Sequence, residues 1–211
     1  IGFNSRVTAD EVPTEGIRGL SAIDIGYAAE MGYAVKLLAV ARRTEDGLDV
    51  RVHPAMIAAE HPLAGVNGVY NAIYVVGDSV GETMFFGEGA GSLPAASAVV
   101  GDLLEVARHI SGDCLNLVGC TCKESLPIRD IGSLTTRYYV RLRVTDRPGV
   151  LAAVAKVLGD HAVSIASVIQ LESYESGEAE LVLVTHEASE ADARGAFADI
   201  EALDVVSAVS A

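Results

Sequence analysis

The last third of the chain imposes an order of elements that few folds satisfy. Residues Tyr138–Val144 alternate apolar and polar side chains as a half-buried strand does, whereas Gly149–Leu158 carries the wider spacing of a helix. Val163–Leu171 and Ala179–Thr185 are again strand-like, separated by the turn Tyr174-Glu-Ser-Gly177. Ser189 offers a cap for a helix reaching about Leu203, and Val205–Val209 reads as a closing strand. The order βαββαβ predicts a ferredoxin-like sheet with both helices on one face, built from residues 137–211.

The first half has a different rhythm. Ser21-Ala-Ile-Asp24 has capping-box form, so a helix is expected from about Ala22 to Met31, with Gly32 at its C′ position. Strands Tyr33–Arg42 and Leu48–Pro54 follow, joined across the polar turn Thr44-Glu-Asp-Gly47. After HPLAGVNG come strands Tyr70–Val76 and Gly81–Phe86, turning at Gly77-Asp78. The loop GEGAGS (87–92) leads into a helix from about Leu93 to Ile110, where Pro94 is tolerated because first-turn N–H groups lack intrahelical partners. From Ser111 to Thr136 periodicity is lost, and 112–136 is expected to be a linker. The reading is an α+β chain: a mixed-sheet domain over 1–111, a linker, and the smaller unit over 137–211.

Composition narrows the function. A chain of 211 residues can hold one large domain or two modest ones. A formal net charge of -14 argues against a nucleic-acid partner, which needs clustered Lys and Arg. The apolar runs are too short and interrupted to span a bilayer, and no signal peptide opens the chain. A cytoplasmic protein handling small molecules is expected. Three cysteines fit a reducing compartment better than a disulfide framework. Cys120 and Cys122 form CxC with Cys114 nearby, but too few ligands surround them for a metal site, so ordinary thiols are expected. The five histidines, at 53, 61, 109, 161 and 186, are scattered without a catalytic pattern. The start at Ile1 reads as a processed or truncated product with an upstream portion expected.

Lys36 is the residue that best suits chemistry. It lies in YAVKLLAVA, and strand alternation groups it with Ala34, Leu38 and Val40 on one face. A lysine there must be paired or pushed toward neutrality, and both serve acid–base catalysis. The competing reading is an edge lysine whose stem covers apolar surface while its head reaches water. Asp24 is already explained by its capping box, whereas Glu15 sits in a loop with no capping duty. Glu30 at the helix C-terminus opposes the helix dipole. GEGAGS has the strand–loop–helix shape that receives an anion on backbone amides, yet it lacks the dinucleotide spacing, and Glu88 opposes phosphate. A tight turn needing positive φ explains it equally well. In DRPGVLA (146–152), the turn before the helix leaves amides free and would suit an amino-acid carboxylate. A plain strand–helix connection is the alternative.

Taken in order, EGIRGLSAIDIGYAAEMGYAVKLLA, VRVHPAMIAAEHPLAGVNGVYNAI and GETMFFGEGAGSLPAASAVVGDLL resemble bacterial homoserine dehydrogenase. RYYVRLRVTDRPGVLAAVAKVLGDHAVSIASVIQ is similar to the ACT regulatory domain at the C-terminus of many such enzymes. The resemblance implies the carboxyl-terminal half of the enzyme, a substrate and dimerisation domain plus ACT, with the N-terminal Rossmann domain and a second active-site lysine outside the chain. It implies reversible NAD(P)-dependent interconversion of L-homoserine and L-aspartate 4-semialdehyde, on the route to threonine, methionine and isoleucine. In that frame Lys36 transfers the hydroxyl proton, while Glu15 and Asp24 bind the substrate's amino end and keep the lysine charged or oriented. Gly87, Gly89 and Gly91 approach a cofactor held mainly by the other domain, and many members carry proline at the position of Glu88. The ACT domain implies threonine as effector, with Asp146, Gly149, Val150 and Ser164 as ligand-site residues, Ser164 standing where many ligand-binding ACT domains have asparagine. A homodimer or homotetramer, inactive as this half alone, is implied. The alternative is a non-catalytic amino-acid-sensing dimerisation module.

Overall fold

The computed structural model describes residues 2–112, 122–170 and 177–210. The chain divides into two units. The first comprises Ile1–Arg6, Ile25–Leu38 and Pro54–Ser125, and the second Val7–Asp24, Ala39–His53 and Leu126–Ala211. Helix α1 (Ala22–Glu30) and the hairpin of β1 (Tyr33–Thr44) and β2 (Gly47–Ala58) contribute residues to both.

Local chemistry accounts for these elements. Ser21 closes a capping box on α1, its Oγ accepting from the Asp24 amide at 3.3 Å while its own amide donates to Asp24 Oδ2 at 3.0 Å. Gly32 ends the helix at φ 81°, as the sequence predicts. β2 runs beyond the expected Pro54 to Ala58. Pro54 is accommodated because the β1–β2 sheet has only two strands, and outward-facing positions need no N–H.

In the first unit, β3 (Tyr70–Gly77) and β4 (Gly81–Glu88) form an antiparallel hairpin from Tyr70↔Glu88 to Gly77↔Gly81. Helix α2 (Ser92–Ser111) follows, with no buried residue; Leu93 is 81% and Ile110 77% exposed. Ile73, Val76 and Phe85 on the hairpin are also exposed. No helix among the described residues is long and apolar enough to cross a membrane.

The second unit holds the core. Short strands β5 (Thr135–Thr136) and β9 (Ala188–Ser189) pair with each other. The elements β6 (Tyr139–Thr145), α3 (Val150–Asp160), β7 (Ile165–Gln170), β8 (Glu178–Thr185), α4 (Glu190–Glu201) and β10 (Val206–Ser210) follow the expected βαββαβ order. The sheet runs β10-β6-β8-β7, every pairing antiparallel. Alternate residues Val140, Leu142 and Val144 of β6 and Ala179, Leu181 and Leu183 of β8 meet Val154 and Leu158 of α3 and Ala196 and Ile200 of α4 in one cluster. Burying each larger side chain contributes about 1.5–3 kcal/mol. Ser189 caps α4 by accepting from the Asp192 amide at 3.1 Å.

The segment read as a linker is engaged along its described part. Glu124 bridges Ser5, and Ile128 bridges Leu48, both in parallel. The Leu48 amide donates to Pro127 O and the Arg129 amide to Leu48 O, each at 2.9 Å. These single bridges require no apolar alternation, which is why periodicity is lost there. Buried Asp49 ties the same region, accepting from Arg42 at 2.7 Å and Arg129 at 3.1 Å. The remainder of the expected linker, the strand end at Leu171, most of the Tyr174–Gly177 turn, Cys114 and Cys120 lie outside the described residues.

Candidate active site

Lys36 is half-buried on β1, and the residues two on either side, Ala34 and Leu38, share that environment while Leu37 and Ala39 are exposed. Its Nζ donates to Val66 O at 2.5 Å and to Asn67 Oδ1 at 2.8 Å. The loop carrying these acceptors is itself ordered by hydrogen bonds. His61 caps the short 3-10 turn Pro62–Gly65 by accepting from the Leu63 amide at 3.1 Å, and Gly68 takes φ 64°. Both acceptors of Lys36 are neutral oxygens, where the sequence led to carboxylates. An ammonium held this way is oriented, and among the described residues it meets no third acceptor, an arrangement able to pass a proton to an oxygen.

Asp24 requires a correction. Its side chain is 4% exposed and accepts from five donors: Ser21 N and Oγ, Tyr139 Oη, and Arg141 Nε and Nη2, at 2.6–3.2 Å. Burial pushes its carboxyl up, but the Arg141, Ser21 and Tyr139 donors outweigh that and hold it well below the ordinary carboxylate range. With its lone pairs taken, Asp24 has no capacity left for a substrate ammonium; it fastens the start of α1 to β6. Glu15 is different: it is exposed, and among the described residues its backbone alone is tied, the amide donating to Val52 O at 2.8 Å. Glu30 is exposed on α1.

The glycine loop divides. Gly87 lies in β4 opposite Asn71, and a Cβ there would meet open space. A Cβ on Gly89 would overlap the Asn71 amide, and Gly91 takes φ 118° as it starts α2, with Pro94 against it. Gly91 is therefore required by its backbone conformation, whereas at Gly89 the obstacle is the end of the Asn71 side chain, which can move. What remains for a cofactor is the open side of Gly87 and the start of α2, which no side chain caps.

The turn before α3 gathers Asp146, Gly149 and Val150 around a cavity of about 450 Å³ whose lining also includes Gln170 and Leu181. Gly149 sits at φ 93°, and no side chain caps α3, so backbone amides are available to a carboxylate. Ser164 is not part of that lining; its carbonyl accepts from the His186 amide at 2.8 Å. Among the histidines, His61 serves its turn, and His161 meets Asp199 at 2.7 Å. No cluster able to hold a metal ion occurs among the described residues. Asn67, Tyr139 and Arg141 were not singled out in the sequence; the alternation of Tyr139, Arg141 and Arg143 against Val140, Leu142 and Val144 is the signal that marks the last two as lying on the face opposite the core.

The homoserine dehydrogenase family model matches residues 1–104, and the ACT domain model matches residues 138–205. Homoserine dehydrogenase of Synechocystis sp. is 42% identical over 215 residues, covering 98% of this chain and 49% of that protein. The chain belongs to the homoserine dehydrogenase family. The homoserine dehydrogenase of Pseudomonas aeruginosa is also 42% identical, over 98% of this chain and 49% of its own length. The crystal structure of a homoserine dehydrogenase from Thiobacillus denitrificans superposes with a TM-score of 0.83 at 40% identity, over 97% of this chain and 47% of that one. That of S. aureus gives 0.58 at 29% identity, over 98% and 48%. The chain thus spans about half the length of the curated relatives it matches.

Proposed function

We propose that residues 1–111 form the substrate and dimerisation domain, and 137–211 the ACT domain, of a homoserine dehydrogenase whose cofactor is held mainly by a further domain. The reaction is the cytoplasmic, NAD(P)-dependent interconversion of L-homoserine and L-aspartate 4-semialdehyde, serving threonine, methionine and isoleucine synthesis. The observation that carries this reading is Lys36: an ammonium set on Val66 O and Asn67 Oδ1 in a half-buried strand face.

A bound nicotinamide cofactor would supply or take up the hydride. The charge that develops on the carbonyl oxygen is stabilised by the Lys36 ammonium, which gives it a proton; in the reverse direction neutral Lys36 takes the hydroxyl proton. The apolar surface of α2 and the β3–β4 hairpin supports a homo-oligomer in which a second copy covers it.

The test is oxidation of NADPH in the presence of aspartate semialdehyde. The full-length protein containing this chain turns over, whereas residues 1–211 alone do not. Measurable turnover by the isolated chain would refute the assignment of the cofactor to another domain, and inactivity of the full-length protein would refute the reaction.

The cavity beside Gly149 is the proposed effector site, with L-threonine its ligand. Calorimetric titration of the chain with millimolar threonine gives a saturable heat; absence of heat would leave the ACT domain a structural role.

A further inference from the structure

We infer that Arg141 couples the cavity beside Gly149 to helix α1, so that a ligand in the cavity sets how firmly α1 is held; this rests on the effector site proposed above. The cavity and the arginine use opposite faces of the same two strands. Val144 of β6 and Ala179 and Leu181 of β8 line the cavity, and all three belong to the core on the helix side of the sheet. The strands are paired there, Val144 with Ala179 and Leu142 with Leu181. Glu180, between Ala179 and Leu181, faces the other way by strand alternation and is 1% exposed. Its Oε1 accepts from Arg141 Nη1 at 3.2 Å. The other donors of Arg141 leave the sheet. Nε reaches Asp24 Oδ1 at 2.7 Å, while Nη2 reaches Asp24 Oδ2 at 3.2 Å and Ser21 Oγ at 3.4 Å. Tyr139, on the same face of β6, donates to Asp24 Oδ1 at 2.8 Å.

The coupling follows from what each group needs. Asp24 and Ser21 form the capping box that starts α1, and a carboxylate as buried as Asp24 stays charged only while Arg141 and Tyr139 meet it. Those two side chains are in place only while β6 lies against β8, where Glu180 takes the remaining side of the guanidinium. A ligand that touches Val144, Ala179 and Leu181 together requires the same pairing. It therefore binds the closed sheet and not the opened one, and lowers the population of openings by the factor 1 + [L]/Kd. Through Arg141, the start of α1 shares that protection. No residue of the β3–β4 hairpin enters these bonds.

The test is amide hydrogen exchange of residues 1–211 with and without L-threonine, at about ten times the Kd that calorimetry gives for each protein. In the wild type, threonine slows exchange about tenfold in β6, in β8 and over 22–31, the factor that this occupancy requires. Over 70–88 the change is less than about twofold. In Arg141→Leu, threonine still slows exchange about tenfold in β6 and β8, whereas over 22–31 the change is less than about twofold. Protection as large as wild type over 22–31 in that variant overturns the inference. The wild-type comparison decides even if the leucine variant does not fold: protection of β6 and β8 without 22–31, or equal protection of 22–31 and 70–88, overturns it as well. Absence of a threonine heat in the wild type is a separate result: it defeats the effector reading, and the inference with it.

Discussion

Lys36→Ala in the full-length enzyme lowers kcat by about 10²- to 10⁴-fold while homoserine still binds. That range corresponds to about 2.7–5.5 kcal/mol of transition-state stabilisation. In the proposed mechanism the lysine gives a proton to an oxygen only as charge develops there, so its loss falls on kcat more than on KM. Lys36→Met tests the role of the stem: it keeps the apolar part that lies among Ala34 and Leu38, removes the ammonium, and is as inactive as alanine. Lys36→Arg does not restore activity, since a guanidinium supplies charge but does not give up its proton in water. Near-normal turnover in the alanine variant would sink the assignment, and a methionine variant more active than alanine by tenfold or more would shift the role from proton transfer to packing.

The same residue shows how far a sequence of this kind can be read. The strand under Lys36 and the helix before it were legible, because alternation and capping act over a few neighbouring residues. So was the βαββαβ order, where Val140, Leu142 and Val144 keep strict alternation and α3 repeats apolar residues at helical spacing. The partners were not legible. Lys36 meets acceptors 30 and 31 residues away, and Asp24 meets Tyr139 and Arg141 at separations of 115 and 117. Asp24 was doubly hidden: its capping box gave it a sufficient local explanation, so nothing in the pattern called for a second duty. The chain at 122–136 was unreadable for a different reason, since its bridges at Glu124 and Ile128, its bonds to Leu48, the Arg129–Asp49 pair and the two-residue strand β5 are each too short to impose a period on the sequence. GEGAGS was legible only as two alternatives, and the positive φ of Gly91 supplies a structural reason for one of its glycines.

Arg141→Leu has the largest expected effect on stability. The guanidinium is 10% exposed, with Asp24 at 2.7 Å and Glu180 at 3.2 Å, and those carboxylates are themselves 4% and 1% exposed. A leucine leaves both anions buried without the arginine, which costs about 3–5 kcal/mol. For a chain of this size the melting temperature falls by about 6–20 °C. Arg141→Lys falls between, because an ammonium supplies the charge but not the fork that reaches both oxygens of Asp24. The pH dependence separates this mechanism from a packing defect. In the wild type Asp24 is depressed in the fold, so its contribution is present above the unfolded carboxylate range near pH 4 and is lost as pH falls toward the folded value. Tyr139 is pushed up by burial and by its bond to Asp24, so its contribution is present below about pH 10 and lost as pH rises further. Without Arg141 the Asp24 carboxyl loses the largest of the donors that hold it down, so the variant has less Asp24-linked stability to lose as pH falls below about 4. The difference between wild type and Arg141→Leu, measured by urea unfolding of residues 1–211, is therefore larger at pH 7 than at about pH 3. A deficit below about 1 kcal/mol at pH 7, the range of an exposed ion pair, or one that does not change with pH, would show that Asp24 and Glu180 do not depend on Arg141 for their burial.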